Sequence, residues 1–177
     1  RLTLRLALLV ALGAVPLLFV GFAPWLVPVV LVYNALLAAC PIADGLAAPR
    51  PERALRVERA VDEKLSLGAA NPVIVDVRNL TSGPLRVTVR DEPPYQFALD
   101  SPAQRVLLLG ADRDARITYH LTPAAKGDFY FGDLFVEYPG RLGLVARQGR
   151  IPAAQLVKVY PNLREMEKFE LLARRGV

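Results

Sequence analysis

Few residues in this chain are of the kinds that perform acid–base, nucleophilic or metal chemistry, and their spacing argues against most of it. There is one histidine, His120, and one cysteine, Cys40. His120 alternates with Arg116 and Thr118, the pattern of an outward strand position, and neighbouring residues offer it no partners for metal ligation or general base work. Asp91-Glu92 and Asp112-Arg113-Asp114 bring carboxylates together, but beside proline or mixed charge. Paired acid/base carboxyls need burial and facing geometry, so these read as solvated turns. No Gly-x-Ser-x-Gly elbow marks a hydrolase nucleophile. Gly127 and Gly132 have the spacing of P-loop glycines without the Lys-Ser/Thr that must follow. A single cysteine excludes a disulfide framework or a cysteine-based zinc site. No catalytic, cofactor-binding or metal-binding residue is therefore expected. Asn79-Leu80-Thr81 matches a glycosylation acceptor, which has no meaning in a cytoplasmic domain.

The elements that would position any site follow from where the charges lie. Of 22 basic and 17 acidic residues in 177, only Arg1, Arg5 and Asp44 fall before residue 50. Leu6 to Ala43 is a run of 38 residues without a charge. At ~1.5 Å per residue one helix of that length would reach about 57 Å, nearly twice the ~30 Å hydrocarbon thickness, so two spans fit better than one. Gly21-Phe22-Ala23-Pro24-Trp25 is the natural break, with Trp25 suited to the membrane interface. The expectation is a helical hairpin, Leu6 to Phe22 and Trp25 to Ile42. Pro28 falls in the first turn of the second helix, and Pro16 should kink the first. Asn34, the one strongly polar side chain of the second span, is expected to hydrogen-bond between the helices.

Orientation follows from the flanking basic residues. Arg1 and Arg5 precede the first helix, and Arg50, Arg53, Arg56 and Arg59 follow the second, so both ends and the remaining chain are placed in the cytoplasm at an inner membrane. Trp25, Arg50, Arg53 and Arg56 are the expected membrane-interface residues, the arginines setting topology or meeting anionic headgroups at ~1 kcal/mol each. Leu37-Ala38-Ala39-Cys40 competes with this reading: it has the form of a lipoprotein cleavage box, which would lipidate Cys40 and put the rest outside. Signal peptides, however, have an apolar core of ~7 to 15 residues, and the stretch before Cys40 is far longer.

From about Ala54 the apolar period becomes two. Leu55 and Val57 alternate with Arg56 and Glu58. Val73, Val75 and Val77, then Leu85, Val87 and Val89 after the turn 79–84, suggest a hairpin. Val106 to Leu109 reads as a short buried run, followed by Ile117, Tyr119 and Leu121. Phe129 and Phe131, then Leu134, Val136 and Tyr138, change parity across Gly132-Asp133, as a bulge would make them do. Leu144 to Ala146 and Leu156 to Tyr160 complete seven or eight strands, an all-β antiparallel sandwich of immunoglobulin-like architecture over residues 50–161. After Pro161, Asn162 and Glu165 form a capping box, and Leu163, Met166, Phe169 and Leu172 make one stripe, predicting an amphipathic linker helix over 162–177. The hairpin thus occupies residues 1–49. A net charge of +5 sits mainly beside the membrane, and Tyr95, Tyr119, Phe129 and Phe131 fall at core spacing, so nucleic acid is not an expected partner.

The order of these features resembles a bacterial membrane protein family encoded beside MoxR-type AAA ATPases. The matching stretches are Asn79-Leu80-Thr81-Ser82-Gly83-Pro84-Leu85, Arg90-Asp91-Glu92-Pro93-Pro94, Lys126-Gly127-Asp128-Phe129-Tyr130-Phe131-Gly132, Leu142-Gly143-Leu144 and Val159-Tyr160-Pro161. Lys126 stands where the family usually has arginine, and Tyr138-Pro139-Gly140-Arg141 replaces its usual Asp-Pro approach to Gly-Leu. The resemblance implies a von Willebrand factor A-like domain after the sandwich, and partnership with a MoxR-type ATPase and co-encoded membrane proteins. It carries over no metal ligand, because the Asp-x-Ser-x-Ser pattern of that domain does not occur in this sequence. The function expected is a non-catalytic membrane scaffold, in complex assembly or envelope maintenance. The alternative is an externally exposed ligand-binding or enzymatic subunit, lipid-anchored at Cys40. Asp91 and Glu92, Tyr130, and Arg141 within the loop 138–144 are the candidate partner contacts, placed on exposed turns and outward positions.

Overall fold

In the computed structural model of the chain, residues 3–16, 21 and 25–161 are described. The uncharged opening forms helix α1 (Leu4–Ala14) and helix α2 (Leu26–Ala47). α1 gives way to a 3₁₀ turn at Val15–Pro16, where Val15 keeps right-handed helical dihedrals (φ −59°, ψ −46°) and proline offers no N–H to continue the α-helical ladder. Its expected course to Phe22 passes into residues outside those described. α2 starts one residue later than expected and runs five further, past Ile42, accommodating Pro41 in its interior and Pro28 in its first turn. Its 22 residues reach about 33 Å at ~1.5 Å each. Among the described residues it is the one helix long and apolar enough to cross a membrane; α1 has 11 residues. Leu31, Val32 and Leu36 are exposed, so α2 is not a core helix of the sandwich.

The two helices touch. Tyr33 donates its hydroxyl to the Leu9 carbonyl at 3.0 Å, and its ring lies over Gly13, where a Cβ would stand 2.2 Å from Cε1. The polar bond between helices thus comes from Tyr33. Asn34 instead donates to Val30 one turn back in its own helix, at 2.8 Å, which satisfies the amide without a neighbour.

A short turn, α3 (Pro51–Ala54), leads into the strands: β1 (Leu55–Val61), β2 (Lys64–Ser66), β3 (Asn71–Asn79), β4 (Leu85–Arg90), β5 (Ala98–Leu99), β6 (Gln104–Leu109), β7 (Asp114–Thr122), β8 (Gly127–Phe131), β9 (Leu134–Pro139), β10 (Ala146–Ile151) and β11 (Gln155–Tyr160). They form sheets of order β1-β3-β7-β5, β10-β9-β4-β6 and β2-β11-β8. Every pairing is antiparallel except β2 with β11. The result is a mostly antiparallel β-sandwich. Its core joins Val73, Val75 and Val77 of β3, Val87 and Val89 of β4, Tyr119 and Leu121 of β7, and Leu134, Val136 and Tyr138 of β9. These are the inward positions of the period-two pattern.

Three expectations about strands are corrected. β3 and β4 do not form a hairpin: β3 pairs with β1 and β7, β4 with β6 and β9, so the 79–84 loop crosses between sheets. Asn79 holds that crossing. Fully buried, it donates to Gly83 and Gly110 carbonyls at 2.9 and 2.8 Å and accepts from the Thr81 amide and hydroxyl. As placed, its amide is not open to glycosylation. Val106 to Leu109 is not a buried run, since β6 is an edge strand with Val106 53% and Leu108 82% exposed. The parity change at Gly132-Asp133 is real, but its cause is a switch of sheet: β8 pairs with β11, whereas β9 pairs with β10 and β4. The helix expected over 162–177 lies outside the described residues.

Candidate functional site

The single carboxylate that ends the uncharged run is buried. Asp44, in the last turn of α2, is 1% exposed, and its oxygens accept the backbone N–H groups of Leu142 at 2.7 Å, Leu144 at 2.9 Å and Val145 at 3.2 Å. All three belong to the β9–β10 connection. Gly140 must be glycine here, because a Cβ would stand 2.6 Å from the Asp44 carboxyl, and Gly143 turns the loop at φ 69°. Thr3, just before α1, grips the same loop, donating its hydroxyl to the Gly143 and Leu144 carbonyls and its amide to Leu144. Two further bonds lock the stretch after α2: Tyr138 donates to the Pro49 carbonyl at 2.7 Å and Arg147 to that of Ala48. Burial raises the Tyr138 phenol above its ordinary value of 10. The start of α1 and the end of α2 are thus fastened to one loop of the sandwich.

A second buried polar group lies inside the sandwich. Arg59 occupies the inward side of β1 and pairs with Asp91 at 2.6 Å, both side chains 1% exposed. The guanidinium also donates to the Gly132 carbonyl at 3.1 Å and to that of Ala153, and lies 4.4 Å over the Phe131 ring. The other Asp91 oxygen accepts the Tyr119 hydroxyl at 2.7 Å. Burial first, and the adjacent Asp91 charge second, hold the Tyr119 phenol neutral well above pH 10. One ion pair therefore joins β1 and β7 of the first sheet to the end of β4 and to β8. A related carboxylate, Asp133, sits at the sheet switch and accepts from the amides of Ala153 and Ala154 and from Arg150. The Ala153 amide, then Arg150, holds it below the ordinary 3.8.

The remaining expected residues fall as follows. Trp25 is exposed just before α2; Arg50, Arg53 and Arg56 are exposed, Arg56 paired with Glu58 at 2.6 Å. Arg59, grouped with them by sequence, belongs to the core. Asp91 is likewise no solvated turn: the chain leaving β4 turns inward and delivers it to Arg59. Glu92 remains at the surface beside Arg90. Tyr130 projects outward from β8 at 71% exposed, and Arg141 is exposed at the loop held by Asp44. The loop's backbone amides are held by Asp44, while the Arg141 and Leu142 side chains stay exposed. Tyr119 and Phe131 are core and Phe129 half-buried, whereas Tyr95 is 92% exposed and Phe97 takes the core position, 4.7 Å from Phe129. His120 is half-exposed on β7 and bonds Asp100 at 2.8 Å. Among the described residues no three His, Cys, Asp or Glu side chains are grouped to hold a metal. Cys40 is half-buried inside α2, which continues unbroken on both sides of it.

Between α1, the α2–α3 connection and the outer face of the β10-β9-β4-β6 sheet lies an open cleft of about 1320 Å³. Arg5, Arg53, Arg86 and Arg141 line it, together with Ser82 and one acid, Glu137.

No protein-family sequence model and no curated protein matches the chain. Solved structures of similar shape include native alpha-2-macroglobulin from Escherichia coli, spanning domain MG7 to the C-terminus (17% identity, TM-score 0.49, 65% of this chain and 17% of that one). Others are a PapD-like domain of human CEP192 (11%, TM-score 0.45, 64% and 89%) and the CARDB domain of PF1109 from Pyrococcus furiosus (17%, TM-score 0.42, 60% and 87%). This chain spans only a small part of the macroglobulin fragment's length. At these identities and scores the similarities bear on no functional conclusion.

Proposed function

We propose that the chain is a non-catalytic, membrane-anchored scaffold whose β-sandwich is presented at a fixed attitude to the bilayer. The observation that supports this is the Asp44 carboxylate, which is buried against three backbone amides of one sandwich loop at the end of an exposed apolar helix. A flexible tether would not need such a group. α1 and α2 form a hairpin in the membrane, and the arginines at its two ends keep both ends and the sandwich in the cytoplasm. There the sandwich meets a MoxR-type ATPase and co-encoded membrane proteins, as the resemblance in its turn sequences implies, in complex assembly or envelope maintenance. Exposed Tyr130 and Glu92, away from the fastened loop, are the contact residues this reading retains.

A topology reporter fused after Val177 tests the anchoring. Activity of a cytoplasmic reporter is expected, and activity of an exported one overturns the scaffold as stated. The partnership is tested by co-purification of the co-encoded ATPase with the detergent-solubilised chain, its loss expected on Tyr130→Ala. Retention of none by the unaltered chain removes the ATPase from the reading.

A further inference from the structure

We propose that the arginine-lined cleft binds the phosphate of an anionic phospholipid. Arg5 from α1, Arg53 from α3, Arg86 from β4 and Arg141 from the β9–β10 connection come from four separate parts of the chain to one cleft. All four are exposed, and among the described residues none is ion-paired. The remaining acid on the wall, Glu137, accepts from Gln148 at 2.5 Å. Guanidinium groups match phosphate oxygens in geometry as well as charge, and a hydroxyl such as that of Ser82 adds a donor. Four arginines without an ion-pair partner among the described residues, lining one cleft with a single acid, leave a site that favours an anion.

The lipid, rather than a soluble phosphate, follows from the apolar residues around the arginines. Leu4 and Leu108 border the cleft and are 76% and 82% exposed, an arrangement that suits a glycerol and acyl ester region above the phosphate. The cleft also includes Ala47, the last residue of α2, which lies at headgroup depth when that helix spans the ~30 Å hydrocarbon layer. The inference therefore rests on the membrane reading above, though not on cytoplasmic sidedness or on any ATPase.

Its test uses the full chain in detergent, titrated with phosphatidylglycerol and examined by native mass spectrometry. One retained phosphatidylglycerol is expected, with phosphatidylcholine retained far less. Arg86→Gln with Arg141→Gln should weaken retention ~30-fold, from about 1 kcal/mol per guanidinium. Arg105→Gln with Arg116→Gln, the same charge change outside the cleft, should leave it unaltered. Equal loss in both pairs overturns the site in favour of diffuse attraction. Displacement by millimolar inorganic phosphate overturns the lipid as ligand. Carbonate extraction of the chain from membranes would sink the anchoring reading, and is scored separately from lipid retention in detergent.

Discussion

Two buried carboxylates, Asp44 and Asp91, are neutralised in opposite ways. Asp91 is matched by a full positive charge, the Arg59 guanidinium, and by the Tyr119 hydroxyl. Asp44 is matched, among the described residues, by backbone amides alone. An ion pair taken out of water loses hydration on both sides, so removing one partner strands the other at high cost. A carboxylate held by loop amides leaves, when removed, N–H groups without their acceptor in a loop outside the sandwich core cluster, and no stranded charge. The first arrangement ties sheets together, and the second ties a domain to its helices. Disruption of Asp91 should therefore unfold, and disruption of Asp44 should uncouple.

The largest effect expected is from Asp91→Ala, which leaves Arg59 buried and unpaired and should lower sandwich stability by about 3–5 kcal/mol in urea denaturation. Arg59→Met combined with Asp91→Leu should recover most of that loss; a double variant as unstable as the single would contradict the ion-pair account. Next, Asp44→Ala should leave the denaturation midpoint of the sandwich unchanged. It should speed hydrogen exchange at the Leu142, Leu144 and Val145 amides by about 10- to 100-fold, the equivalent of a charged hydrogen bond. If the sandwich melts with it, the contrast between the two carboxylates is lost.

Tyr119→Phe should cost about 1.5 kcal/mol at neutral pH. It should also change the alkaline limb. The Tyr119 phenol is raised in the folded state, so its stabilisation is complete below pH 10 and is lost as pH rises beyond that value in the native protein. The phenylalanine variant should show a shallower decline there, the remainder coming from Tyr138. On the acid side the sign reverses. Asp133 and Asp100 are lowered below 3.8 when folded, so their contribution is present above pH 3.8 and lost as pH falls below it. Asp133→Asn should flatten that limb. The smallest effect is expected at Arg56→Ala, under ~0.5 kcal/mol, because both it and Glu58 are well exposed to water.

Strand positions were readable because each buries one face, and alternation records that face directly. Sheet membership was not, since β3 and β4 alternate in the same way whether they pair with each other or with strands elsewhere. The Arg59–Asp91 pair had a signal that the run of arginines after the apolar segment obscured: Leu55, Val57 and Arg59 share one parity, so β1 turns Arg59 inward. Asp91 carried no such mark, as its neighbours Arg90, Glu92, Pro93 and Pro94 describe a surface turn and its burial depends on a residue 32 positions away. Asp44 was visible as the one acid ending a long apolar run, a setting in which a carboxylate must find donors. Which donors depended on a loop almost a hundred residues later.

The shared grip of Thr3 and Asp44 on one short loop has a mechanical corollary. Under the membrane anchoring proposed above, both helices pinned to the same turn would leave no swivel at the bilayer surface, so a sideways load on the distal end of the sandwich would pass as torque into the helix pair. In that arrangement the folded domain would work as a lever arm: anything pulling on it would tilt α2, and a change in local bilayer thickness would swing the domain in return.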